Sequence, residues 1–180
     1  MPLPENEEKE YPETLHIEVT NRCNFNCIMC IRRIWNEKPS DLNIDLYKKI
    51  ARSSFQKLKR LTLHGFGEPF VSPNLLSMLE LSRKYLSKES EVMISTNGSL
   101  LVQQLSDRLL EGKWINELLF SIDTMDIAKL SRIRRDSKPE VIMQNLQYLT
   151  EARKTRELKI GVEVVIMKDN IEDLPNLVES

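Results

Sequence analysis

Three cysteines, Cys23, Cys27 and Cys30, stand in one short segment, and the chain contains no others. Their C-x3-C-x2-C spacing follows directly on a strand-like run, Leu15 to Thr20. Thiolates are soft ligands that suit iron–sulfur clusters and zinc. A cubic four-iron cluster held by three protein thiolates keeps one iron open to another ligand. Zinc is the competing chemistry, but structural zinc sites bring their ligands as two close-spaced pairs. Here a single triplet stands alone, and neither His16, inside the first strand, nor His64, on the second, completes a zinc-finger pattern. An odd number of cysteines at ligand spacing favours a cluster over disulfides. Thiols without a disulfide framework fit a reducing cytoplasm.

The other groups with chemical potential end strand-like runs. His64-Gly65-Phe66-Gly67-Glu68-Pro69 follows the second run. There Gly67 permits a close backbone approach, and Glu68 offers a carboxylate to a cation. Taken alone, Gly-Glu-Pro is an ordinary turn. Ser95-Thr96-Asn97-Gly98 and Phe120-Ser121-Ile122-Asp123 supply the small polar groups that hydroxyls require. Asn97 also suits a turn, and Asp123 a helix cap. In the segment Lys129 to Asp136, Arg134 carries a guanidinium, the natural bidentate partner of a carboxylate. Arg132 carries the same group, and a basic surface face is the plain explanation of both.

Five strand-like runs must position these groups: Leu15–Thr20, Arg60–His64, Glu91–Ser95, Glu117–Ser121 and Lys159–Met167. Helical patterns fill the intervals. One has Asn43 as N-cap before Ile44, Tyr47, Ile50, Ala51, Phe55 and Leu58. A second opens at Ser72-Pro73, a cap followed by proline in the first helical position. A third carries Leu101, Leu105 and Leu109 and stops at Gly112, and a fourth starts at Pro139. Asn170 or Asp173 caps a last short helix with Ile171, Leu174, Leu177 and Val178 on one face. This alternation predicts parallel strand pairing, with the functional loops at the strand C-termini. Residues 1–14 read as a polar tail and 15–180 as the core. The chain reads as cut after its fifth β/α unit, so an open sheet is expected rather than a closed barrel.

At 180 residues the chain supports one sizeable core. A formal charge of −1 gives no electrostatic reason to expect nucleic acid or acidic membranes as partners. No apolar run approaches the roughly 18 residues of a membrane span. Residues 4–10 are acidic and polar, the opposite of a signal peptide.

The run Glu18-Val19-Thr20-Asn21-Arg22-Cys23-Asn24, with Cys27, Met29 and Cys30, resembles the opening of radical S-adenosylmethionine (radical SAM) enzymes. The likeness is strongest to those that often carry a C-terminal auxiliary-cluster (SPASM-type) domain. Cys30-Ile31-Arg32-Arg33-Ile34-Trp35 is similar to members associated with maturation of tungsten-containing oxidoreductases. The resemblance implies an α/β fold, a partial (β/α) barrel whose open parallel sheet has about five strands with helices on its outer face. It implies one 4Fe–4S cluster on Cys23, Cys27 and Cys30, with SAM chelating the open iron. Met29 would lie against the adenine, or else fill the core. Gly67 and Glu68 match the GGEP motif that binds the SAM amino group, with Phe66 in place of the first glycine. Asn97, Ser121 and Asp123 would face the ribose and methionine moieties, and Arg134 the SAM carboxylate. The glycine that usually follows that arginine is here Arg135. Val164 and Ile166 would contact the adenine, although core packing explains them equally well.

The activity so implied is reductive cleavage of SAM to methionine and a 5′-deoxyadenosyl radical that abstracts hydrogen. Its setting would be peptide or cofactor maturation, with a ferredoxin or flavodoxin as reductant and a peptide or small molecule as substrate. Two other classes stand beside it: a non-catalytic module that binds SAM and a cluster, and a zinc-binding interaction domain.

Overall fold

The computed structural model describes residues 11–153 and 158–179. The acidic residues 4–10 lie outside them. Five strands, β1 (Thr14–His16), β2 (Arg60–Thr62), β3 (Glu91–Thr96), β4 (Glu117–Ser121) and β5 (Lys159–Glu163), form one sheet in sequence order. Every neighbouring pair is parallel. Side chains alternate between the two faces of a strand, so pairing in register stacks like with like. Leu61 lies opposite Val92, Ile94 opposite Leu118, and Leu118 opposite Ile160. Leu61, Val92, Ile94, Leu118 and Phe120 are fully buried. They share one core with Tyr47, Met78, Leu79, Leu109, Ile142 and Leu149 from the helices. Each such side chain contributes about 1.5–3 kcal/mol by leaving water.

Among the described residues six α-helices accompany the sheet: α1 (Ile44–Ser54), α2 (Leu75–Tyr85), α3 (Gln103–Gly112), α4 (Ile127–Ile133), α5 (Pro139–Ala152) and α6 (Leu174–Glu179). Asn43 caps α1 as its sequence predicts, its Oδ1 accepting from Asp45 N at 2.8 Å and Leu46 N at 3.1 Å. Pro139 occupies the first turn of α5. The start of α2 differs: Pro69–Val71 forms a 3-10 turn, Ser72 and Pro73 remain outside, and the helix begins after Asn74. At the end of α3 the left-handed residue is Lys113, with φ of 49°, and Gly112 is the last helical residue. The short α4 goes beyond the sequence reading, and its N-cap is Asp126, accepting from Lys129 N, rather than Asp123.

Strand lengths differ at both edge strands and at β2, which ends at Thr62 rather than at the expected His64. β1 ends at His16 because the chain then leaves the ladder: Val19 O accepts from Leu42 N, and Thr20 pairs with Asp41 in an isolated antiparallel bridge. β5 ends at Glu163, short of the expected Met167. β1 begins at Thr14, inside the expected tail, where Glu13 O also accepts from Lys59 N at 2.7 Å.

The sheet face opposite the helices is layered along the strands. Its N-terminal end carries a charged lattice: Arg60 pairs with Glu91 at 3.4 Å and Glu117 at 2.5 Å, and Lys159 with Glu91 at 3.3 Å. Two residues on, Thr62, Met93, Leu119 and Gly161 share that face, and two further on come His64, Ser95, Ser121 and Glu163. The polar layer is thus at the strand C-termini. No helix among the described residues is long and apolar enough to cross a membrane.

Candidate functional site

The cysteine loop has little regular structure of its own and is held by backbone contacts to its neighbours. Asn26 N donates to Arg135 O at 3.1 Å, and Ile28 N to Ile133 O at 2.9 Å. From the other side Glu68 N donates to Arg22 O at 2.8 Å. That approach explains Gly67: a Cβ there would stand 2.1 Å from Thr20 O and 2.6 Å from Arg22 O. The closeness that Gly67 permits is therefore to the cysteine loop itself. Arg22 pairs with Asp41 at 2.7 Å, and Arg32 Nε donates to Asn21 O at 2.9 Å.

All three cysteines are free thiols and open into one cavity of about 580 Å³. Met29, Gly67, Glu68 and Asn97 line it, as do Ser121, Arg134 and Val164. Two predicted contacts do not. Ile166 is 62% exposed and Asp123 is fully buried beneath the wall. Ile166 misses because the face that carries Gly161 and Glu163 continues by alternation to Val165, which takes the place on the wall. Burial raises the Cys23 pKa, and pushes that of Cys27 to about 11 even with Arg134 nearby working against it. Among the described residues no three His, Cys, Asp or Glu side chains converge as ligands of a single metal ion. A cube differs in kind, because each thiolate binds its own iron and the sulfurs stand apart.

Glu68 is 3% exposed and serves as a strut. Its Oε1 accepts from Thr96 Oγ1 at 2.7 Å and Phe70 N at 3.2 Å, and its Oε2 from Asn97 N at 2.7 Å. Burial raises its pKa against those three donors. Oε2, with one donor, retains capacity for another. The side chain of Asn97 also ties loops together, donating to Asn24 Oδ1 at 2.9 Å and accepting from Ser99 N at 3.0 Å. The turn there is made by Gly98, at φ of 76°, whose carbonyl accepts from Asn145 of α5 at 2.8 Å.

Asp123 acts through Arg134. Arg134 Nε lies 2.8 Å from Asp123 Oδ2, and Nη2 lies 3.2 Å from Oδ1. Asp123 Oδ1 also accepts from Val165 N at 3.0 Å. Asn170, fully buried, closes the network by donating to Asp123 O at 2.9 Å and Val165 O at 3.0 Å. One aspartate thus fixes both the arginine and the wall after β5. Arg132 and Arg135, by contrast, are exposed.

Sequence reasoning missed Asn170, His64 and Glu163 as parts of this site. Glu163 accepts from Ser95 and Ser121, the latter at 2.8 Å, and lines the cavity with His64. The available signal was positional: Ser95, Ser121 and Glu163 fall at the ends of three adjacent strands.

An open parallel sheet with a three-thiol loop after β1 defines a radical SAM-type core. The radical SAM superfamily profile matches residues 17–180, and the chain belongs to that superfamily. It is 34% identical over 169 residues to the tungsten-containing aldehyde ferredoxin oxidoreductase cofactor-modifying protein of Pyrococcus furiosus, covering 91% of this chain and 46% of the relative. A GTP 3′,8-cyclase of Mesorhizobium japonicum is 27% identical over 169 residues, covering 91% of this chain and 49% of the cyclase. The chain thus spans about half the length of these curated relatives. Among solved structures, anSMEcpe with bound AdoMet and a peptide superposes with a TM-score of 0.73 at 15% identity, covering 92% of this chain and 46% of that one. BtrN in complex with AdoMet and 2-DOIA gives 0.61 at 18% identity, covering 87% and 58%. These two likenesses establish the fold.

Proposed function

We propose that this chain binds one 4Fe–4S cluster through Cys23, Cys27 and Cys30 and holds SAM against it for radical-forming cleavage. The observation that carries this reading is convergence: the three thiols share one cavity with Glu68, Ser121 and Arg134. Soft thiolates suit iron–sulfur chemistry, and ligation displaces their protons. When bound, the cluster supplies the electron that splits SAM into methionine and a 5′-deoxyadenosyl radical able to abstract hydrogen.

The residues of this chain bind and orient. Oε2 of Glu68 accepts the SAM ammonium. Arg134, held rigid by Asp123, takes the SAM carboxylate. Ser121 and Asn97 offer hydrogen bonds to hydroxyls, while Met29 and Val164 give the adenine an apolar bed. Glu68, Asn97 and Arg134, themselves buried, present their polar groups from a wall largely shielded from bulk water at those positions. The relative in Pyrococcus furiosus, named as a cofactor-modifying protein, supports a role in cofactor maturation. A ferredoxin or flavodoxin as reductant and the cytoplasm as setting belong to the same proposal.

Anaerobic reconstitution followed by iron and sulfide analysis tests the cluster. Alanine at any one of the three cysteines is expected to abolish the iron–sulfur absorption. A triple variant that still held four irons would overturn the ligand assignment. SAM cleavage under a strong reductant separates an enzyme from an inert binding module.

A further inference from the structure

Glu163 ends β5 on the open face of the sheet, and its strand neighbour Ser121 lies directly opposite. Ser121 and Ser95 both donate to Oε1 of Glu163. Two strand positions therefore fix the direction of this carboxylate, and among the described residues Oε2 has no protein donor. None of the ion pairs among the described residues includes Glu163. Arg134, which lines the same cavity, is engaged by Asp123.

His64 lines the cavity from the end of β2, and its Nδ1 is buried without a hydrogen-bond partner. His16 packs edge-on against it at 4.4 Å. Burial and then His16 lower the His64 pKa, and Glu163 opposes them, so the imidazole is neutral at neutral pH. A neutral imidazole accepts a hydrogen bond and leaves the carboxylate's charge unbalanced. A carboxylate drawn out of bulk water is strongly favoured to find a cation that also donates hydrogen bonds.

We propose that Glu163 and His64 form a subsite for a protonated primary amine of the substrate, with Ser95 and Ser121 as positioning residues. This rests on the SAM reading above and names the substrate class of that same cavity. Because SAM also carries an ammonium, the two sources must be separated by experiment.

Wild-type protein, Glu163→Gln and Glu163→Asp are reconstituted anaerobically, checked by thermal unfolding, and titrated with SAM by calorimetry. The SAM-loaded proteins are then titrated with n-butylamine and, separately, n-butanol, followed by ligand-observed NMR. The amine is expected to bind wild type, to bind either variant at least tenfold more weakly, and to out-bind the alcohol. SAM affinity is expected to stay within twofold throughout. Equal amine binding by a folded variant, or no amine binding by wild type, overturns the subsite. A tenfold loss of SAM affinity in Glu163→Gln also overturns it and makes Glu163 a SAM ligand. If wild type takes up neither cluster nor SAM, the underlying reading has failed instead. The amine titration of the apoprotein then decides the subsite by the same tenfold criterion.

Discussion

Glu68 ties three chain segments together, and the function proposed above gives the same carboxylate a ligand to hold. Its carboxylate satisfies Thr96 Oγ1, Asn97 N and Phe70 N in a place almost without solvent. A buried donor left unpaired costs about 1–3 kcal/mol. Glu68→Ala strands more than one such donor and should therefore lower stability by at least about that amount in urea unfolding of the apoprotein. It should also weaken SAM binding by roughly ten- to a hundredfold, the value of a lost charged hydrogen bond. Unchanged SAM affinity in a folded variant would remove Glu68 from the binding site. His64 makes a second prediction, on pH. Its folded pKa lies below the ordinary 6.5, so folding favours the neutral ring. The stability it contributes is present above about pH 6.5 and is lost as pH falls through the folded value. Thermal unfolding of the apoprotein between pH 7 and 5 should thus fall more steeply in wild type than in His64→Gln. Parallel curves would show that the ring titrates alike in both states. The cysteine loop was legible in the sequence because its spacing places three thiols in one short segment, and the fold opens all three into one cavity. Glu163 and Asn170 were not, because their roles depend on which strands lie side by side.

Secondary-structure elements were legible wherever a period and a cap agreed, as with Asn43 and α1 or Pro139 and α5. β4 runs over Glu117–Ser121, as its pattern predicts. The misses have local causes. Thr20 reads as strand because it does pair, but with Asp41 and outside the main sheet. α4 is short, so few residues carry its period, and its cap Asp126 stands three positions after the aspartate considered. At this scale the decisive junction is between the loop after β2 and the cysteine loop. A methyl group at Gly67 would meet backbone carbonyls, which cannot rotate away. One at Gly65 would also be crowded, by Glu18 as far in as its Cβ at 2.7 Å, but that contact falls before the cysteine loop begins. Gly67→Ala is therefore expected to cost about 1–3 kcal/mol as overpacking and to reduce the iron retained after reconstitution. Gly65→Ala should retain more iron. Equal retention by the two variants would show that the junction does not set the thiol geometry.

At the scale of the whole molecule, the charged lattice at one end of the open face and the polar layer at the other divide the labour of one sheet. Arg60, Glu91, Glu117 and Lys159 neutralise one another across four strands, while Ser95, Ser121 and Glu163 face the cavity. The sheet pays for this openness at its margins. Among the described residues β5 pairs with β4 alone, and Val162, Val165 and Ile166 are 43%, 46% and 62% exposed on and just beyond it. An unpaired strand edge flanked by apolar side chains is a template for another chain. The 180-residue chain should accordingly associate as its concentration rises, as read by sedimentation velocity. A lysine at this margin opposes such pairing by charge, so Ile166→Lys should shift the distribution toward monomer without altering cluster content. Its distance from the cavity wall makes that separation possible, since Ile166 does not line the site. A wild-type chain that stayed monomeric at every concentration would show that this margin is already protected, and the substitution would then leave sedimentation unchanged.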